Sequence, residues 1–406
     1  MEKPELLSPA GDLEKLRFGV KFGADALYLG GREFSLRASA GNFTLEEIQE
    51  GIEFAHGEGA KVYVAVNIIP HNFHVPALKD YLKELGELNP DGLIVADPSV
   101  IELAKETAPH VPLHLSTQAS ATNWRSIKFW KEQGVSRIVL ARELSLEEIR
   151  EIKERVDIEL ECFVHGAMCI SYSGRCLLSN YLAHRDANLG ECAHPCRWKY
   201  YLMEEKRPGE YHPVFEDEHG TYIFNSRDLC LIEYLPRLIE AGVDSFKIEG
   251  RMKGVNYVAT VTSTYRKALD SYLTDPPSYR FDPRLLEELK KVSHRPYTTG
   301  FLLGEPGEGD QIYEDSSYVR EYDFTGVVKE YDAVRGTALV EQRNNFSRGD
   351  IMEFLSPGGE TFFQEIKELF NEEGEEVERA PHPQQLLIIP ILKRVEPYTI
   401  MRRPRE

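Results

Sequence analysis

From residue 4 to about residue 270, short apolar or β-branched runs alternate with longer segments whose apolar residues recur at helical spacing. That alternation is the pattern of βα units feeding a parallel sheet. It predicts strands at 5–7, 26–29, 61–66, 92–96, 113–116, 137–140, 159–164 and 245–248. Helices are predicted between them, among others at 44–57, 145–154 and 229–241, and Ser145 followed by Glu148 is a capping-box signal. Eight such strands predict an α/β fold, a closed (β/α)8 TIM-like barrel over 1–275. A doubly wound open sheet is the alternative that shares the alternation.

A ninth apolar run, at 221–224, falls in an insertion of about 166–225 that interrupts the seventh unit. Residues 276–322, rich in Pro, Gly, Tyr and Asp, read as a connector. Beyond them FTGVVKEY, GTALVEQR, GDIMEFLS and QQLLIIPI alternate between turn signals, which predicts a small all-β barrel domain over 323–406.

The chain has 406 residues, and 42% hydrophobic content supplies ample core. No apolar stretch is long enough to span a bilayer, and MEKPELLSPAG lacks the basic and apolar regions of a secretion signal. The expectation is a cytoplasmic protein without membrane contact, its thiols kept reduced. A net charge of -19 argues against non-specific polyanion binding. Nucleic acid would need a local basic surface, and Lys393, Arg394, Arg402, Arg403 and Arg405 around Tyr398 are the candidate. A solvated tail is the plain alternative.

Four cysteines, Cys169, Cys176, Cys192 and Cys196, crowd into the insertion with spacing C-x6-C-x15-C-x3-C. In a barrel the loops after the strands carry the chemistry, so the cysteines fall where an active site is expected. Zinc sites pair their cysteines as close knuckles, which only the last pair approaches. Iron–sulfur ligation tolerates wider spacing and takes four thiolates. Iron–sulfur, zinc and a metal-free structural role all remain open on the residues alone. Cys162 lies in an apolar strand as a small hydrophobe, Cys230 opens a predicted helix as a spare thiol or an alternative ligand, and His194 is a ligand candidate or a solvated loop residue.

The run ECFVHGAMCISYSGRCLLSNYL resembles the signature of the collagenase-like peptidase family U32. ELLSPAGDLEKLRFGVKFGADALYLGG, LSTQASATN and FKIEGRMK match the same family, so the resemblance covers residues 4–270. The connector VSHRPYTTGFLLG and the C-terminal β-domain are similar to the family's tRNA hydroxylation branch. Relatives in the family hydroxylate transfer RNA wobble uridine, ribosomal RNA cytidine or a ubiquinone precursor. The resemblance therefore implies a 4Fe-4S cluster held by Cys169, Cys176, Cys192 and Cys196, prephenate as co-substrate, and tRNA as partner. It leaves open whether a paralogous subunit takes part.

Polar residues interrupt the apolar runs where each strand should meet its loop: Asn67, Asp97, Thr117, Gln118, Arg142, His165, Glu249 and Arg251. Each alone reads as a cap or a loop hydrogen bond. Together they make a polar ring at the expected mouth. Asn67, Asp97, Gln118 and Arg142 are candidate substrate contacts, while His165, Glu249 and Arg251 are the catalytic candidates. Arg142 and Arg251 suit a dicarboxylate such as prephenate, because guanidinium binds carboxylate through two parallel hydrogen bonds. His165 would move protons, and Glu249 would act as base, orient Arg251 or simply form an ion pair.

Ser171, Ser173 and Ser179 lie near the cysteines, but no G-x-S-x-G elbow or H-E-x-x-H helix appears, and Gly30 with Gly31 reads as a tight βα turn. Three function classes follow: RNA hydroxylation converting wobble uridine to 5-hydroxyuridine, peptide hydrolysis as the family name suggests, and a zinc-stabilised RNA-binding module without catalysis.

Overall fold

The computed structural model describes residues 3–35, 42–168, 227–304 and 319–405, together with residues 179, 183 and 193 and short strands within 202–226 and at 311–312. Its first compact unit comprises residues 1–20, 25–253 and 295–318, and the second comprises 21–24, 254–294 and 319–406.

In the first unit, seven parallel strands follow in order: β1 (Glu5–Pro9), β2 (Ala26–Gly30), β3 (Lys61–Val66), β4 (Gly92–Val95), β5 (Leu113–Leu115), β6 (Arg137–Val139) and β7 (Glu159–Ala167). After β8 (Asp228–Cys230), which runs antiparallel to β7, comes β9 (Ser245–Ile248). It pairs with both β7 and β1 in parallel and closes the ring at eight parallel strands. Closure needs both neighbours of every strand to be buried, and β2, β4, β5 and β9 are buried along their whole length.

The connecting helices start where the sequence caps them. For the helix Leu45–Gly57, the Thr44 hydroxyl accepts from Glu47 N and Thr44 N donates to the Glu47 carboxylate, and Ser145 with Glu148 repeats the arrangement ahead of Leu146–Arg155. Each such cap is worth about 1 kcal/mol. The predicted helix over 229–241 is the exception. Residues Asp228–Cys230 form β8, and only Leu235–Glu240 is α-helical. The cause is β7, which runs on to Ala167 and presents an edge that β8 covers, with Cys230 opposite His165. The segment expected to be a connector also divides: Arg284–Lys290 is a helix, whereas Tyr297–Thr298 pairs parallel with β8 and lengthens the barrel's sheet.

The barrel interior is partly apolar, with Leu7, Ala26, Tyr28, Tyr63, Ala65 and Ile94 clustered there. Beside them runs a buried charge ladder. Arg137 reaches Glu5 at 2.6 Å, Glu159 at 2.8 Å and Glu161 at 3.3 Å, and Lys247 reaches the other oxygen of Glu161 at 2.6 Å. Tyr63 and Ser245 donate to Glu5 as well. Strand alternation puts Glu161 and Phe163 on one side of β7 and Ser245 and Lys247 on one side of β9, up to the register shift between Lys247 and Ile248. The ladder therefore climbs toward the mouth.

The second unit joins helices Val255–Thr274 and Arg284–Lys290 to a six-stranded antiparallel sheet. Its strand order is Thr361–Glu365, Ile351–Leu355, Ile400–Pro404, Tyr322–Asp332, Thr337–Gln342 and Leu386–Pro390. Val328, Val340, Phe346, Phe354, Leu387 and Met401 form its core. The sheet curls into a half-barrel. Its two edge strands are linked by the Gln364 side chain, which donates to Pro390 O at 2.6 Å and accepts from Leu392 N at 2.8 Å.

Candidate active site at the C-terminal mouth of the barrel

The polar ring residues gather at the C-terminal ends of the strands, as a closed barrel requires. On the side of β7 and β9, the Arg142 guanidinium lies 3.8 Å from the Glu249 carboxylate and stacks over the Phe163 ring with Cζ 3.8 Å from its centroid. The Tyr28 hydroxyl donates to Ile248 O at 3.0 Å and lies 3.4 Å from Glu249 Oε2. Glu249 N donates to His165 O at 2.9 Å. His165 is buried, and its ring packs against Tyr297 with centroids 5.4 Å apart. Arg142, His165 and Glu249 thus share one wall. Underneath, the Lys247 ammonium sits 4.4 Å from the Tyr28 ring centroid and 5.5 Å from that of Phe163, so the charge ladder supports the aromatic floor of this wall.

A second group is built on β3 and β5. Asn67 Nδ2 donates to the Ser116 hydroxyl at 3.5 Å, and that hydroxyl donates to Gln118 Oε1 at 3.2 Å. One hydroxyl therefore orients a buried carboxamide. Gln118 is 7% exposed, and its Nε2 has no hydrogen-bond partner among the described residues. A buried donor left unmet costs about 1–3 kcal/mol. It is well placed to meet an acceptor atom of a substrate.

Arg251 is buried and crosses the end of β2. A Cβ on Gly30 would come within 2.1 Å of Arg251 Nη1, and one on Gly11 within 2.2 Å of Arg251 O. Gly31 is bare for a similar reason, since its Cβ would meet the Tyr81 hydroxyl at 1.9 Å. The Gly30–Gly31 pair is thus explained by close packing of two side chains.

Other candidates are placed differently. Asp97 caps the helix Pro98–Thr107, its Oδ1 accepting from Ser99 N at 2.9 Å and from the Ser99 hydroxyl at 2.5 Å. Cys169, Cys176, Cys192, Cys196 and His194 lie outside the described residues. Cys162 and Cys230 are buried and form no disulfide, and burial pushes the Cys162 thiol up to about 12, which makes it inert at neutral pH. Cys230 lies in a strand, correcting its expected place at a helix start.

The C-terminal basic patch is also corrected. Arg402 is fully buried, with Nε 2.8 Å from Glu353, Nη1 donating to Thr260 at 3.0 Å, and Nη2 paired with Glu288. Arg403 pairs with Asp350 at 2.7 Å, and Arg405 pairs with Asp323 at 2.5 Å. Alternation along Ile400–Pro404 sends Arg402 inward, so its charge is consumed inside this unit. Lys393 and Arg394 are exposed.

Tyr28, Ser116, Phe163, Lys247 and Tyr297 escaped the sequence reading. Lys247 and Glu161 carried a usable signal, each being a charged residue inside an otherwise apolar barrel strand. Tyr297 carried none, because its partner His165 is distant in the chain. Glu143, beside Arg142, is a further half-buried carboxyl whose pKa is raised chiefly by burial, against the pull of Arg142.

Residues 11–312 match the family described as Peptidase family U32, and residues 320–402 match the Peptidase family U32 C-terminal domain. The chain is 48% identical over 402 residues to tRNA hydroxylation protein P1 of Bacillus subtilis, across 99% of this chain and 95% of that protein. It is 42% identical over 441 residues to tRNA hydroxylation protein P of Escherichia coli, across 98% of this chain and 95% of that one. The 23S rRNA 5-hydroxycytidine synthase of Escherichia coli is 36% identical over 310 residues, 75% of this chain and 46% of that protein.

Proposed function

This chain belongs to the U32 peptidase family, and we propose that within it the protein hydroxylates RNA, converting the wobble uridine of transfer RNA to 5-hydroxyuridine with prephenate as co-substrate. The observation that carries the proposal is similarity running through both units to proteins named for tRNA hydroxylation. Replacing C5–H of uridine by C5–OH inserts one oxygen atom and removes two electrons, so an oxygen donor that accepts those electrons is needed beside the base.

Four thiolates are the donor number that a 4Fe-4S cluster takes, and Cys169, Cys176, Cys192 and Cys196 would hold one that supplies the redox chemistry or binds the oxygen donor. Among the described residues no three His, Cys, Asp or Glu side chains could hold a metal ion together. The cluster in this proposal therefore rests on those four cysteines.

The remaining work falls to the mouth. Arg142, steadied by Glu249 and stacked on Phe163, and Arg251, held in the gap that Gly30 leaves, are the two cations for a dicarboxylate. Gln118, oriented by Ser116, offers an amide donor to a carbonyl oxygen such as O4 or O2 of uracil. His165, buried beside Tyr297, is the group for proton transfer. These residues position the reactants and exclude water.

The test compares tRNA nucleosides by mass spectrometry from cells with and without the protein, alongside iron and acid-labile sulfide content after anaerobic purification. Loss of 5-hydroxyuridine without the protein, restored by the wild type but not by Cys176→Ser or Arg251→Ala, is expected. Unchanged 5-hydroxyuridine in cells lacking the protein would sink the proposal.

A further inference from the structure

A ladder of rings leads out of the barrel wall just beyond Asn67. Tyr81 is buried, and Phe34 packs on it with centroids 5.4 Å apart. His74 meets Phe34 edge-on at 6.4 Å, Phe73 lies 3.9 Å from His74, and His71 stacks on Phe73 at 5.7 Å with planes 12° apart. Phe73 is nonetheless 75% exposed, and Ile69 in the same loop is 40% exposed. The ladder is anchored. His71 N donates to His74 Nδ1 at 2.9 Å to fix the single turn Asn72–His74, and Phe34 holds its place with a left-handed backbone, φ 56°. A large apolar ring held out in water carries a standing cost, and this one sits in the loop after β3, at the mouth of the barrel.

We infer that the Phe73–His71 face is a stacking platform for an unpaired nucleobase of the RNA substrate. The inference rests on the proposed RNA chemistry and deepens it. Charge decides how such an occupant would be held. The chain carries -19, and Arg402, Arg403 and Arg405 are paired with carboxylates, which leaves Lys393 and Arg394 as the exposed cations of that patch, so counterion release offers little affinity for a polyanion. Base–aromatic stacking needs no net positive charge and tolerates any base. Stacking also demands single-stranded RNA, since a base inside a duplex shows no free face.

The full-length protein is titrated with a fluorescent hairpin RNA carrying a loop of unpaired bases, and with a blunt duplex of the same composition. Phe73→Ala is expected to weaken hairpin binding roughly 5- to 150-fold, the loss of one stacked base. Phe73→Trp is expected to restore the affinity, and its added fluorescence to be quenched by the hairpin and not by the duplex. Because Phe73 is exposed, both variants should unfold at the wild-type temperature, which a melting curve checks. Wild-type affinity of Phe73→Ala for the hairpin overturns the platform and leaves the RNA chemistry standing. Failure of the wild type to bind either RNA overturns both. Weakening of hairpin and duplex alike by both variants also overturns the platform, because the ring would then act through something other than an exposed base face.

Discussion

Removing the carboxylate of Glu161 should damage the barrel more than any other single change to its polar interior. Glu161 is fully buried and faces two cations, Lys247 at 2.6 Å and Arg137 at 3.3 Å. Arg137 keeps Glu5 and Glu159 when Glu161 is lost, whereas Lys247, 3% exposed, is left with the ring faces of Tyr28 and Phe163. An uncompensated buried charge costs about 3–5 kcal/mol, so Glu161→Gln should fall in that range. Lys247→Met should cost less, because Glu161 keeps Arg137. The double variant should be more stable than the sum of the two predicts, by about 1–3 kcal/mol, since the second change removes the charge that the first left stranded. Urea unfolding of the four proteins, followed by circular dichroism, measures this cycle. At roughly 2–4 °C per kcal/mol for a domain of this size, Glu161→Gln alone should lower the melting temperature by about 6–20 °C. Additive losses would refute the ladder as a coupled unit, and a loss from Glu161→Gln under about 1 kcal/mol would show that water reaches Lys247.

Three further outcomes follow from the same geometry. His114 is buried, and burial, reinforced by Arg137, Lys247 and Lys61, holds its pKa well below the ordinary 6.5. The unfolded chain therefore takes up a proton that the folded one refuses, and stability should fall as pH drops below about 6.5, by up to about 1.4 kcal/mol per pH unit; His114→Gln should flatten that slope relative to the wild type in urea midpoints between pH 7 and 5. Gly30→Ala should lower the melting temperature, because the new methyl would meet Arg251 Nη1 at 2.1 Å and Ser35 Oγ and Cβ at 2.5 and 2.8 Å in a buried site, and it should lower hydroxylation about as much as Arg251→Ala does; additive activity losses in the double variant would separate the two residues. Arg402→Met should cost the C-terminal unit less than the roughly 3–5 kcal/mol of an uncompensated buried charge, because Glu353 and Glu288 lose the guanidinium but both keep Lys291 at 2.7 Å, whereas Lys393→Ala should cost under about 0.5 kcal/mol in the same unfolding assay.

What the sequence determined by itself is whatever depends on local periodicity and on residues near one another in the chain. All eight barrel strands were legible, because a strand buried on both faces writes its apolar run directly into the order of residues. The capping box at Ser145 was legible for the same reason, since donor and acceptor lie three residues apart. So was the polar ring, whose members each end an apolar run.

Tertiary structure alone decided which of those polar residues meet. Asn67 and Gln118 share Ser116, Arg142 reaches Glu249, and Gly30 is bare to admit Arg251, all contacts between distant parts of the chain. It turned the predicted helix start at Cys230 into a strand, because the edge of β7 offers hydrogen bonds that a helix there would leave unmet. It also reversed the meaning of the C-terminal arginines. Composition counts charge, and only the fold places each arginine against the carboxylate that cancels it.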